Sequence, residues 1–223
     1  MNGELTIYSP YQKVYDFWGQ SNLDEVPAKL RDYLLLLPTK DFPQMIETNE
    51  NPRARLLKYL YYDTPNPLQN DVPTVQQRLS MVFDPQKPDT PPGEKGYRVF
   101  SQTIVNQTQL AGQTTMRIMM GRTMPTGPYS VMVGVTFWLM SNYALDANTK
   151  DMALLRTYSM ELAIIEALNG VNIDGVGSFM FDRRSHSDCG SYGFSDEQQN
   201  VGRALTMCFE SRGGSPEPGL TGK

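Results

Sequence analysis

The segment YSVMVGVTFWLMSNYAL, Tyr129 to Leu145, limits the fold more than any other part of the chain. Val131, Val133, Val135, Phe137 and Leu139 alternate without a break with Met132, Gly134, Thr136, Trp138 and Met140. Side chains of a strand point to opposite faces in turn. This segment is therefore a long strand with one wholly apolar face and one mixed face. An apolar sheet face has to be covered by a second layer.

The neighbouring elements fit that demand. TTMRIMMGR, Thr114 to Arg122, has the same period, with Met116, Ile118 and Met120 on one side and Thr115, Arg117 and Met119 on the other. Pro125, Gly127 and Pro128 supply turn chemistry between the two strands. YRVFSQTIVNQT, from Tyr97, reads as a further strand, as do Gly175 to Asp182 and Val201 to Glu210, the last with Val201, Leu205, Met207 and Phe209 in phase. DMALLRTYSMELAIIEALNG, Asp151 to Gly170, places Leu155, Tyr158, Leu162 and Ile165 at helical spacing. Asp151 stands near its start, where negative charge is favoured, and Asn169-Gly170 offers a left-handed end cap. The expected class is α+β: a mostly antiparallel sheet with one long helix packed on it.

Residues 1–95 read as an N-terminal extension with short helices and a Pro-rich arm. Val26 to Pro38 is an amphipathic helix, with Pro27 near its start and Pro38 ending it. Asn51 to Asp63 is a second, with Asn51 as cap, Pro52 at the first position and Leu56, Leu57 and Leu60 on one face. Thr74 to Asp84 is compatible with a strand or a short helix. Asp84 to Gly96, DPQKPDTPPGEKG, is a projecting arm or linker. Residues 96–210 form the sheet-and-helix core, and residues 211–223 are expected to be a flexible tail.

A net charge of -4 disfavours sequence-specific nucleic-acid binding. The first residues lack a signal-peptide pattern. No apolar run approaches a membrane span, since Leu34 to Leu37 stops at Pro38. A soluble protein of the cytosolic type is expected. Two cysteines and one histidine fall short of the usual zinc ligand set. Cys189 and Cys208 are expected to be free thiols, and no cofactor or metal is expected.

The polar stretch FDRRSHSDCGSY, Phe181 to Tyr192, concentrates reactive groups. An enzyme would use Cys189 as nucleophile and His186 as base, with Asp182 or Asp188 nearby. All of them lie on one Ser/Gly-rich loop, however, and catalytic groups need a rigid support. Arg183, Arg184, His186 and Asp188 are therefore read as part of a solvated loop, with its charges facing water. GVNIDGVG, Gly170 to Gly177, follows a helix and leads into a strand, the reverse of a dinucleotide fingerprint. Met119, Met120, Met124, Met132 and Met140 gather near the central strands, either as core filler or as part of a contact surface. Met132, Thr136, Trp138 and Met140 suit a face buried by a second subunit.

The stretch QTTMRIMMGRTMPTGPYSVMVGVTFWLMSNYAL, followed by RTYSMELAIIEALNG, NIDGVGSFMFD and NVGRALTMCFE, resembles the core of tailed-phage head-to-tail connector proteins of the tail-terminator, or tail-completion, type. The resemblance covers roughly residues 97–210 and rests on a strand pair, a helix, a glycine-rich strand entry and a final strand. Proteins of that type are usually shorter, and residues 1–95 have no counterpart among them. The resemblance implies a virion structural protein that closes into a homo-oligomeric ring, a hexamer or dodecamer. Such a ring would sit between tail-tube and head-connector proteins and pass DNA as cargo. Glu161, Glu166 and Asp182 are candidates for an acidic lumen, and the resemblance implies that the loop with Arg183, Arg184, His186 and Asp188 meets the lumen or a partner. A stopper, a portal adaptor or, less favoured, a Cys/His enzyme are the alternatives.

Overall fold

The computed structural model describes residues 23–36, 49–87, 96–101, 113–127, 130–147, 155–173, 176–184, 187–195 and 200–212. It is a mixed α+β fold with a mostly antiparallel seven-stranded sheet.

Helix α1, Val26–Leu35, buries Val26, Leu30, Leu34 and Leu35 at helical spacing. Helix α2, Pro52–Tyr61, starts as the sequence requires. Asn51 accepts the Arg53 N–H at 2.9 Å, Pro52 opens the first turn, and Leu56, Leu57 and Leu60 are buried. The ambiguous third segment is helical: α3, Val75–Ser80, carries a capping box between Thr74 and Gln77. Local hydrogen bonding decides there, because the segment buries none of its side chains. Pro38 and most of the Pro-rich arm lie outside the described residues.

The sheet is built around a hairpin, β2 (Thr114–Gly127) and β3 (Ser130–Asn142), with register shifts after Met120 and Pro125. A two-residue strand β1, Val99–Phe100, runs parallel to β2. Strand β7, Asn200–Arg212, pairs along the whole of β3. Its other edge carries two short strands end to end. β5, Gly177–Met180, meets Phe209 and Cys208, and β6, Gly190–Ser195, meets Thr206 to Val201. Strand β4, Asn172–Ile173, pairs outside β5. The polar stretch read as a loop is thus strand from Gly190 onward.

The hydrophobic core lies between one face of this sheet and the helices. Val131, Val133, Val135, Phe137 and Leu139 join Met116, Ile118, Leu205, Met207 and Phe209 in one cluster with Leu30, Leu56, Leu57, Leu60, Met160 and Ile164. Side chains from before and after residue 95 share this cluster. The apolar face foreseen on β3 is the buried one. Phe137 is fully buried, which for a side chain of its size contributes about 2–3 kcal/mol.

Two helices follow β3: the short α4, Tyr143–Ala147, and α5, Arg156–Leu168, the longest of the described helices. The sheet-covering layer is thus several helices rather than one. Helix α5 also buries a face other than the one expected. Met160, Ala163, Ile164, Ala167 and Leu168 point inward, while Leu155 is 54% exposed just before the helix and Tyr158, Leu162 and Ile165 are half-buried. The rotation follows from Arg156. Its guanidinium is fully buried and donates to the Tyr62 and Thr64 carbonyls and to the Thr114 hydroxyl, 3.2 Å away. Those bonds satisfy carbonyls of the turn after α2 and hold α5 against the sheet. Gly170, at φ 78°, ends the helix in the left-handed region, as its Asn-Gly signature foretells. Among the described residues no helix is long and apolar enough to cross a membrane.

Candidate functional site

The second face of the sheet has a different character. Register places Arg117 beside Trp138, Met119 beside Thr136 and Thr115 beside Met140. On the other side of β3, Trp138 lies beside Ala204 and Met140 beside Gly202. Strand β6 extends this face with Tyr192 and Phe194, which pair with Ala204 and Gly202. The helix layer packs on the opposite face. Arg117, Met119, Thr136, Trp138 and Met140 are half-buried, and Tyr192 is 58% exposed. The face of an antiparallel sheet away from its helix layer is ordinarily polar. Among the described residues this one is lined by aromatic rings and methionines.

The details are those of an ordered surface. The Trp138 and Phe194 rings stack with centroids 5.2 Å apart, and Tyr192 continues the row at 6.5 Å from Phe194. The Phe194 ring lies directly over Gly202. A Cβ there would meet Phe194 Cζ at 2.4 Å and the Leu139 carbonyl oxygen at 2.6 Å, so only glycine admits the ring. Thr136 and Thr206 share a hydroxyl hydrogen bond of 2.9 Å across the strands. Arg117 lays its guanidinium over the Phe100 ring at 5.5 Å. Its Nε is buried and has no hydrogen-bond partner among the described residues. Burial lowers its pKa.

Of the four residues singled out as an interface, Thr136, Trp138 and Met140 lie together on this face. Met132 shares the face but is only 7% exposed. It forms a second small core with Cys189, Cys208 and Met180, where β5 gives way to β6 along β7. The two cysteines are not free thiols. Cys189 and Cys208 form a disulfide, with Cα atoms 6.4 Å apart. β5 and β6 share one edge of β7, so the chain re-entering at β6 brings Cys189 beside Cys208. The connection from Phe181 to Cys189 is held at both ends in this way.

Within that connection Arg183 and Arg184 are exposed, as is Asp188. His186 lies outside the described residues. Asp182 accepts the Arg184 backbone N–H at 2.9 Å and pairs with its guanidinium, and these bonds lower the Asp182 pKa. Among the described residues no three His, Cys, Asp or Glu side chains converge as a metal site would require. Of the acidic lumen candidates, Glu161 is 3% exposed and bound to Arg203, so it faces the protein interior. Glu166 is exposed and pairs with Arg55.

One feature of this region carried no signal in the sequence. A cleft of about 370 Å³ opens beside Phe194 and Gly202, between the ends of α4 and β6 and the start of α5. Tyr143 and Leu155, both largely exposed, form part of its lining. Asp146 lies at its base, 2% exposed, and accepts the Thr157 N–H at 2.8 Å. It caps α5 from outside the helix, where Leu155 has no side chain to do so. Burial raises the Asp146 pKa, against the pull of the Thr157 hydrogen bonds and the Arg156 and Arg203 charges. No family model, curated protein or solved structure matches this chain.

Proposed function

We propose that this chain is a structural protein of the tailed-phage head–tail junction, of the tail-terminator type, which acts as a closed ring of identical copies. The observation that carries the proposal is the second face of the sheet, rich in aromatic rings and methionines, with Met119, Trp138, Met140, Tyr192 and Phe194 on one surface opposite the helix layer. Patches of this kind mark contact sites. A two-layer unit whose helix side meets the next copy's sheet side makes a head-to-tail contact, and such contacts form a ring when the rotation between copies closes. In this reading α5 braces the sheet from behind, and the helices and Pro-rich arm before residue 95 clasp a neighbour. Arg183, Arg184, His186 and Asp188 lie at a partner or channel surface. The ring ends the tail tube, docks the head connector and passes DNA without reading it.

The test is the mass of the purified protein in solution, with negative-stain images of the same sample. Closed rings of six or twelve copies are expected. A protein that stays monomeric at about 100 µM, well above the Kd of an ordinary micromolar contact, overturns the ring. Other subunit numbers would favour a stopper or adaptor. The thiol-enzyme reading is weaker: Cys189 is 1% exposed and joined to Cys208, whereas a nucleophile must be an accessible thiolate.

A further inference from the structure

Met132, Cys189, Cys208 and Met180 make a core of their own, and every member carries sulfur. The main core beneath the helices is built chiefly from Val, Leu, Ile and Phe, none of which enters the small one. The chain has 13 Met and two Cys among 223 residues, so composition alone does not account for a cluster drawn only from them. Aliphatic side chains would pack a disulfide as well; thioethers add soft, polarisable electron pairs. The four residues come from four segments: Met132 from β3, Met180 from β5, Cys208 from β7 and Cys189 from the position before β6. Register sets Met180 beside Cys208, while Gly134, opposite Cys208 on β3, brings no side chain. Met124 of β2 pairs with Met132, and its Sδ lies 4.0 Å from the Ser187 hydroxyl, so a fifth sulfur borders the cluster.

We infer that, with the disulfide reduced, Cys189, Cys208, Met132 and Met180 bind one Cu(I) ion. Thiolates and thioethers together select a soft ion of this kind. Zinc takes its full ligand set from Cys, His and carboxylates, and among the described residues no third such group joins the two cysteines. With Cα atoms 6.4 Å apart, a turn of the two side chains admits an ion between the sulfurs. Three of the four ligands stand on strands, which hold them in place. Met180 is half-buried, which leaves one side of the cluster at the surface as an entry. The chemistry runs in two steps. A dithiol reductant gives two electrons and two protons to the disulfide: the S–S bond breaks, two thiols form, and the dithiol closes to its own disulfide. Both thiols then lose their protons to solvent as the sulfurs bind Cu(I), which keeps its oxidation state. The ion takes over the tie between the start of β6 and β7. None of this rests on the ring reading above.

The experiment uses the full chain, reduced with a dithiol, freed of it without air, and titrated with Cu(I) against a chromophoric Cu(I) chelator. Native mass spectrometry gives the stoichiometry, and circular dichroism follows the fold. One Cu(I) per reduced chain is expected, with thiolate-to-Cu(I) absorbance in the near ultraviolet. Cys189→Ser and Cys208→Ser should each weaken binding about 100-fold or more, and Met132→Leu and Met180→Leu about 10-fold or more. Met160→Leu, in the main core, should leave the affinity unchanged. Affinity should fall as pH is lowered, because protons compete for the thiolates. Unchanged affinity in either Met132→Leu or Met180→Leu overturns the four-sulfur site. So does equal binding by the oxidised chain, which places the ion elsewhere, and so does a folded, reduced chain that takes up no Cu(I). If the reduced chain or a variant loses its fold, reduced wild type is refolded with and without Cu(I). A fold regained only with the ion supports the site, and a fold not regained with it overturns the site.

Discussion

Phe137 and Trp138 are consecutive residues of β3, yet they belong to opposite faces that do different work. Phe137 is fully buried among β2, β7 and the helices. Trp138 is half-buried, with its ring against Phe194 and a neighbouring arginine across the strand. The covered face is apolar along most of its length, with Thr114 and Ser141 hydrogen-bonded at one end, and it is where folding free energy is gained. The open face is a row of rings, methionines and hydroxyls fixed by cross-strand bonds. It has the composition of a contact surface, and the described helices pack on the opposite face. One strand can thus serve stability and association at once, because its side chains alternate with a period of two.

The contrast can be broken or sharpened by substitution. The largest effect is expected from Phe137→Ala, which should lower unfolding free energy by about 3–5 kcal/mol in urea titrations. A loss as small as that of Trp138→Ala would mean that the two faces do not differ as described. Gly202→Ala should come next, at about 1–3 kcal/mol, because its Cβ collides with Phe194 and the Leu139 carbonyl. Adding Phe194→Ala should recover part of that loss, and no recovery would place the conflict wholly on the backbone.

Asp146→Ala, at the cleft between the faces, should cost about 1 kcal/mol through the lost cap on α5, whereas Asp146→Asn keeps an acceptor. Its pH dependence has a defined sign. The folded pKa is raised above the ordinary 3.8, so the folded state holds the proton more tightly than the unfolded state. The group's contribution is therefore greatest below that ordinary value and declines as pH rises through the raised one. The stability of wild type relative to Asp146→Asn should fall across this window, and a rise would reverse the assignment. Trp138→Ala should have the smallest effect on stability, below about 1 kcal/mol. Its expected consequence is weaker assembly, read by mass photometry. A large stability loss with unchanged assembly would turn the open face into ordinary core.

Much of this was legible without coordinates. The strand pair, its two faces, the Asn51 cap and the Gly170 stop all follow from local rules. The inward face of α5 was not legible from its apolar stripe. The stripe at Leu155, Tyr158, Leu162 and Ile165 is real, but Arg156 finds buried acceptors on α2's following turn and on β2, and those contacts turn the helix. The exposed polar stretch looked like one loop because Ser, Gly and Asp dominate it. Its last three residues, Gly190 to Tyr192, pair with β7, since a strand at a sheet edge needs backbone partners rather than an apolar face.

The sequence by itself determined the alternating faces, the helix ends and the grouping of Thr136, Trp138 and Met140. These depend on torsion preferences and periodicity, which act over a few residues. Only the tertiary structure decided that β5 and β6 share one edge of β7. That arrangement joins Cys189 to Cys208 across 19 positions, buries Met132 beneath them and lays Phe194 over Gly202. Such contacts join segments far apart in the chain, and no local pattern encodes which distant partner a side chain will meet.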